Sequence, residues 1–176
     1  DRITEVANIE GWSDDTLVVN LQGDEPLMQP ILIQQLAEAL HDDPAASVAT
    51  LGAPIKDAQE VFDPNAVKVV TNRCGHALYF SRAAIPWHRD QFRETQETLP
   101  STGTWLRHIG IYAYRAGFLR RYVRWPQSEL ERIEALEQLR ILWEGEKIKV
   151  MTVAKPPHAG VDTPEDLERV SKILEG

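Results

Sequence analysis

Cysteine, positive charge and long apolar runs are all scarce in this sequence, and each scarcity excludes a class of protein. The single cysteine, Cys74, cannot form a disulfide within the chain, which is typical of a protein in a reducing compartment. The 19 Lys and Arg residues are outnumbered by 27 Asp and Glu residues, and a net charge of -8 argues against nucleic acid or an anionic membrane as main partner. No apolar run approaches the roughly 20 residues of a membrane span. We therefore expect a cytoplasmic protein without nucleic-acid or membrane partners.

The most informative stretch is LVVNLQGDEP, residues 17–26. An apolar β-branched run that stops at Gly23 and continues into two carboxylates and Pro26 is typical of a buried strand that opens into a tight loop. Ligands of open α/β sheets bind at such strand ends, and Asp24 supplies the hard oxygen that Mg²⁺ prefers. A turn with two solvated acids is the plainer interpretation, and spacing alone favours it.

The chain around this stretch alternates strand and helix patterns. Helical spacing of apolar residues precedes it and resumes at Pro30, and residues 46–51 form a second apolar strand. Strand, helix, strand predicts a largely parallel sheet. Runs 67–70 and 77–80, separated by an Asn- and Gly-containing turn, predict an antiparallel hairpin. Further patterns predict helices over 116–123, 129–142 and from Pro164, a strand over 148–154, and a polar, core-poor stretch over 87–104.

Two groups of polar residues are candidates for a site. Asp162 follows the last predicted strand, so a parallel sheet would bring it to the same edge as Asp24, where two carboxylates can share a divalent cation. Taken alone, Asp162 is a helix-start acid. The second group has the mixed donors and acceptors that a polyhydroxyl carboxylate needs: Arg82, Arg89, His108, Tyr112, Glu137 and Gln138.

Several members of the second group also have a structural interpretation, and Glu137 next to Gln138 would usually be an exposed helix face. Arg82 and Arg89 are most simply solvated charges, and His108 at a strand start is more often a structural histidine than a ligand. Glu137 interrupts the apolar stripe of the predicted helix 129–142, and a charge in that position needs a partner or a pocket.

Several motifs in fixed order give the sequence a close resemblance to the 3-deoxy-manno-octulosonate (Kdo) cytidylyltransferases. These motifs are VVNLQGDEP at 18–26, DPNAVKVV at 63–70, ALYFSRAAIPW at 77–87, LRHIGIYAYR at 106–115, LEQLR at 136–140 and GVDTPEDLERV at 160–170. The resemblance implies a Rossmann-like three-layer α/β/α sandwich of the nucleotide-diphospho-sugar transferase type, with a mixed sheet. It also implies that residues 1–176 form one domain whose β-rich arm, about residues 67–114, makes a homodimer.

The resemblance implies an activity as well: CTP and Kdo react to give CMP-Kdo and pyrophosphate for the lipopolysaccharide inner core. It assigns Asp24 and Asp162 to Mg²⁺ and catalysis, and Arg2 and Gln22 to the nucleotide. It assigns to Kdo Gln22, Arg82, Arg89, His108, Tyr112, Glu137 and Gln138. The phosphate-cradling loop PARxxSxRxPGKPL of the family does not occur in this sequence, so we expect the domain to be N-terminally incomplete. Two alternatives stay open: a cytidylyltransferase for another acidic sugar, such as a sialic acid, and an inactive, dimerising, sugar-binding fragment.

Overall fold

The computed structural model describes residues 2–21, 23, 26–154 and 164–174. Its helices are α1 (Arg2–Ile9), α2 (Pro30–His41), α3 (Ala58–Phe62), α4 (Gln91–Glu94), α5 (Ala116–Tyr122), α6 (Glu129–Glu134), α7 (Gln138–Trp143) and α8 (Pro164–Leu174). Its strands are β1 (Leu17–Asn20), β2 (Val48–Pro54), β3 (Lys68–Thr71), β4 (Ala77–Ser81), β5 (Leu106–Arg115) and β6 (Ile148–Thr152). Within these residues, no helix is both long and apolar enough to cross a bilayer.

The strands form one mixed sheet in which the long strand β5 is central. The order is β4-β3-β5-β2-β6, and β1 pairs with the second half of β5. Strands β2 and β6 are parallel, whereas β5 is antiparallel to β1, β2 and β3. The expectation of a largely parallel sheet is wrong for the described strands, because β5 lies between β1 and β2 and runs against both. The mixed sheet that the resemblance implied is confirmed.

Helices cover both faces of the sheet and give it two apolar cores. Leu36 and Leu40 of α2 pack with Ala49, Leu51 and Ile109 on one face. On the opposite face, α5 and α7 pack against the alternate side chains of β2, β5 and β6, with Phe118, Leu139, Val48, Tyr112 and Ile148 in contact. Alternation along the strands explains this division, because successive side chains point to opposite faces. The three-layer α/β/α architecture is therefore confirmed.

The predicted hairpin is confirmed as β3 and β4, which pair antiparallel. Its turn is closed by the Asn72 side chain, whose Oδ1 accepts hydrogen bonds from the backbone N–H groups of Cys74 and His76 at 2.9 and 3.0 Å. Gly75 takes the left-handed conformation at φ 76° that the turn requires. The polar stretch 87–104 was expected to contribute little to a core. In the structure it contributes Phe92, which is buried and contacts Trp105.

The single helix expected over 129–142 is wrong. Helix α6 ends at Glu134, Ala135 adopts a left-handed conformation at φ 52° and ψ 48°, and α7 begins at Gln138. Neither glycine nor proline marks the break, and the apolar periodicity did not predict it either. The residues that follow the break, Glu137 and Gln138, line a cavity of about 350 Å³.

Candidate functional site

A cavity of about 350 Å³ opens at the carboxyl end of β1, on the sheet face covered by α5 and α7. The end of β1 is also the point at which the QGDEP segment begins. Residues from five elements and the α6–α7 turn line it: Arg2, Ile3, Thr4, Asn20, Tyr112, Tyr114, Phe118, Leu119, Tyr122, Glu137, Gln138 and Ile141. The location at a strand end is the one at which open α/β folds bind ligands.

Aromatic rings make one wall of the cavity. Tyr112 and Tyr114 lie on the same face of β5 and stack with centroids 5.7 Å apart. Tyr114 in turn stacks against Phe118 of α5 at 6.1 Å. Burial raises the pKa of both tyrosines far above 10, and it raises the pKa of Tyr122 to about 12. The phenols are therefore neutral at pH 7 and present O–H groups that can donate hydrogen bonds.

Polar and charged side chains line the cavity as well. Arg2 comes from the start of α1 and Asn20 from the last position of β1, whereas Glu137 and Gln138 come from the start of α7. Gln138 is buried and Glu137 is exposed. A guanidinium, two amides and a carboxylate offer both donors and acceptors, so the cavity is suited to an anionic ligand that also carries hydroxyl groups.

A buried ion pair supports the turn between α6 and α7. The Nε and Nη2 atoms of Arg140 donate to the two carboxylate oxygens of Glu131 at 2.8 and 2.6 Å. The Glu131 side chain also accepts from the backbone of Ser128 in a capping box at the start of α6. Arg140 lies 4.6 Å above the ring of Tyr122, whose hydroxyl donates to the carbonyl of Glu137 at 3.3 Å. These contacts join the cavity wall to the turn that carries Glu137.

His108 lies beside the aromatic wall and is a neutral hydrogen-bonded residue. The hydroxyl of Thr50 donates to the carbonyls of Ile109 and Ile111 at 3.1 and 2.8 Å. Its oxygen is then left to accept from the Nε2–H of His108, 3.0 Å away, which assigns the imidazole tautomer. Burial lowers the pKa of His108 to about 4. The ring stands 5.4 Å from that of Tyr112 and so buttresses the cavity wall.

The structure brings together some of the sequence-predicted residues and leaves others apart. Arg2, Tyr112, Glu137 and Gln138 line the cavity, and His108 packs against Tyr112. Arg82 does not line it; its Nε and Nη1 donate to the carbonyls of Glu134 and Pro64. The side chain of Arg89 is 96% exposed and lies 3.7 Å from Asp90. The ligand roles of all these residues stay predictions.

Three predicted residues, Gln22, Asp24 and Asp162, lie outside the described residues. Asn20, which precedes QGDEP on β1, lines the cavity, so the described strand leads from the cavity into the segment with Asp24. In the part of the chain that the structure describes, no group of three or more His, Cys, Asp or Glu side chains is arranged to hold a metal ion. The assignment of Mg²⁺ to Asp24 and Asp162 stays a prediction.

Sequence reasoning missed five polar or aromatic residues of the cavity: Thr4, Asn20, Tyr114, Phe118 and Tyr122. Tyr114 could have been found, because it follows Tyr112 by two positions and strand alternation places both on one face. Asn20 gave a weaker signal, because it is a polar residue at the end of an apolar strand. Tyr122 gave no signal, since its place in the cavity depends on how α5 packs.

Comparison with known proteins places the chain in a family. Residues 1–148 match the family model described as cytidylyltransferase. The 3-deoxy-manno-octulosonate cytidylyltransferase of Yersinia enterocolitica is 56% identical over 174 residues, which are 99% of this chain and 68% of that protein. The enzyme of the same name from Serratia proteamaculans is 54% identical over 176 residues, which are 100% of this chain and 70% of that protein.

A solved structure agrees with these relatives. It is that of a CMP:2-keto-3-deoxy-manno-octonic acid synthetase complexed with CTP; its TM-score is 0.86 and its sequence identity 40%, over 99% of this chain and 67% of that one. Fold and sequence thus point to the same group of proteins along nearly the whole chain. The chain belongs to the cytidylyltransferase family, among the 3-deoxy-manno-octulosonate cytidylyltransferases.

Proposed function

We propose that this protein transfers the cytidylyl group of CTP to Kdo and so makes CMP-Kdo and pyrophosphate for lipopolysaccharide inner-core synthesis. The observation that carries the proposal is the 56% identity to a 3-deoxy-manno-octulosonate cytidylyltransferase across 99% of the chain. The anomeric oxygen of Kdo bonds to the α-phosphorus of CTP and loses its proton to solvent. The bond from that phosphorus to the bridging oxygen breaks, and pyrophosphate leaves.

The cavity residues have separate parts in this reaction. Glu137 accepts hydrogen bonds from the sugar hydroxyls, Gln138 both accepts from and donates to them, and the neutral phenol groups of the aromatic wall add donors. Arg2 binds phosphate oxygens through its planar guanidinium. In-line displacement needs no covalent enzyme intermediate, so positioning and electrostatic stabilisation supply the catalysis.

Magnesium is part of this proposal, with Asp24 and Asp162 as its protein ligands. Two carboxylates are a suitable donor set, because Mg²⁺ takes hard oxygen ligands and is usually held by one or two carboxylates together with phosphates. When bound, the ion would neutralise charge that develops on the phosphate oxygens. Asp24 and Asp162 would hold the ion through their carboxylate oxygens.

The test is pyrophosphate release by the purified protein with CTP, Kdo and Mg²⁺. We expect release that requires all three, and a loss of about 100-fold or more in Asp24→Asn at saturating Mg²⁺. Asp15→Asn is the matched control, because Asp15 is exposed and lies before β1, in the segment leading to its opposite end. Activity with a sialic acid but not Kdo would support the other-sugar alternative. Kdo binding without pyrophosphate release would support the inactive-fragment alternative.

We also propose that the protein is a cytoplasmic homodimer that uses the arm of residues 67–114. Two apolar side chains on this arm are exposed, Leu78 at 60% and Trp87 at 53%, and a second copy would cover them. The free, exposed Cys74 suits a reducing compartment. Light scattering should give twice the monomer mass, and Leu78→Lys should give the monomer. A monomeric wild-type protein at micromolar concentration contradicts the proposal.

A further inference from the structure

Glu134, the last residue of α6, has a carboxylate that receives three hydrogen bonds from the end of β4. Ser81 Oγ and Tyr79 OH donate to its Oε1 at 2.6 and 3.3 Å. The backbone N–H of Arg82 donates to its Oε2 at 3.0 Å. A half-buried carboxylate with this many donors is held in one orientation, because each bond to a charged acceptor is stronger than a neutral one.

The main chain of Glu134 is fixed to the same strand end. Arg82 Nε donates to the carbonyl oxygen of Glu134 at 2.9 Å, while its Nη1 donates to the carbonyl of Pro64 at 3.0 Å. Side chain and backbone of one residue are therefore attached to one place on the sheet. Arg82 does not line the cavity, and its bond to the carbonyl of Glu134 joins it to the turn that precedes Glu137.

The attachment precedes a strained residue and then the cavity. Ala135 follows Glu134 directly and has φ 52°, where an L-residue other than glycine pays a steric cost. Such a conformation persists only when the surroundings over-determine it. Leu136 is then buried, and Glu137 and Gln138 enter the cavity lining. The direction in which these two side chains point depends on what holds the turn at its start.

A buried cation lies close to the same carboxylate. Lys68 of β3 is fully buried, pairs in register with Ser81, and donates from Nζ to the carbonyl of Asp63 at 2.6 Å. Burial lowers the pKa of Lys68, and the negative charges of Asp63 and Glu134 oppose that change. The charge of Glu134 therefore has a second effect, because it favours the protonated form of the Lys68 amine.

We propose that Glu134 is a positioning residue of the sugar site: it fixes the turn 134–138 so that Glu137 and Gln138 face the substrate. This inference rests on the proposed function for its substrate, and on the contacts of Glu134 for its mechanism. It assigns a role to a residue that motif comparison left without one.

The test compares Glu134→Ala and Glu134→Gln with the control Glu129→Gln, an exposed glutamate of the same helix. In Glu134→Ala we expect the KM for Kdo to rise about tenfold while the KM for CTP stays within twofold. Glutamine keeps an acceptor for Ser81 and Tyr79 but turns its NH₂ group toward the N–H of Arg82, so its effect should be intermediate. Equal increases in both KM values, or an unchanged KM for Kdo, overturn the proposal.

Hydrogen exchange separates this proposal from the proposed function. Amides of residues 136–140 should exchange at least tenfold faster in Glu134→Ala than in wild type or Glu129→Gln, while the amides of β2 and β5 stay as protected. This readout needs no turnover. A wild-type protein that released no pyrophosphate would overturn the proposed function, and unchanged exchange in 136–140 would overturn the positioning role.

Discussion

The guanidinium of Arg140 lies 4.6 Å above the ring centroid of Tyr122 while it binds both carboxylate oxygens of Glu131. One side chain thus connects the capping box of α6 to the aromatic wall of the cavity. Both charged side chains are largely buried, 18% exposed for Arg140 and 6% for Glu131. Removing one partner of such a pair leaves the other charge buried without compensation, which is a large cost in stability.

We predict that Arg140→Ala lowers the free energy of unfolding by about 3 kcal/mol, because Glu131 loses a buried partner. Arg140→Lys should recover only part of this, since lysine keeps the charge but not the planar fork or the stacking. Urea unfolding measures both. Arg121→Ala is the control, because the Arg121 side chain is 52% exposed and its pair with Glu146 should contribute at most about 1 kcal/mol. Equal losses at Arg140 and Arg121 would contradict the prediction.

The same pair predicts a loss of stability in acid. Hydrogen bonds from Arg140 hold the pKa of Glu131 below its ordinary 4.5, although burial alone would raise it. A depressed pKa stabilises the folded state above the unfolded pKa, and that contribution disappears as the pH falls through the folded-state pKa. The difference in unfolding free energy between wild type and Glu131→Gln should therefore shrink from pH 7 to pH 3. A difference that stays constant over this range would refute the assignment.

Much of the fold was predictable from the sequence because local signals agreed with the tertiary structure. The strand at 17–20, the helix that begins at Pro30 and the hairpin across Asn72 all occur as predicted. The position of β5 was not predictable from the order of strands and helices. The position of β5 between β1 and β2 depends on contacts between residues that are distant in sequence, whereas hydrophobic periodicity reports only local structure.

The candidate site was predictable in its residue types but less so in its physical reasons. Glu137 was singled out as a charge on an apolar stripe, yet the stripe does not exist, since Ile133 is 71% exposed and the helix breaks at Ala135. The buried carboxylate of this region is Glu131 instead. Contacts of Glu134 with β4 accompany the break, and no pattern within residues 129–142 reports them.

Ala135 gives a prediction about conformational strain. Its φ of 52° costs a residue with a Cβ about 1–2 kcal/mol, whereas glycine pays only an entropic cost of about 0.5–1 kcal/mol. Ala135→Gly should therefore stabilise the protein by about 0.5–1 kcal/mol in urea unfolding. Gly145→Ala is the reciprocal control: its φ is 80° and a Cβ there would meet no atom within 4 Å, so only backbone strain should destabilise it. The prediction fails if both changes move stability in the same direction.

The buried His108 predicts a change of stability at higher pH than the change predicted for Glu131. Burial lowers its folded-state pKa from 6.5 to about 4, so between these values the unfolded chain binds more protons than the folded protein. Stability should therefore fall as the pH drops from 6.5 to 4. His108→Gln keeps a side-chain donor for Thr50 but has no titrating ring, so its unfolding free energy should change less over this window. His41→Gln, at an exposed position, should leave the wild-type slope in place. The prediction fails if the unfolding free energy depends on pH with the same slope in wild type and His108→Gln. The imidazole would then be protonated as readily in the folded protein as in the unfolded chain. That outcome contradicts the neutral tautomer inferred from the bond to Thr50.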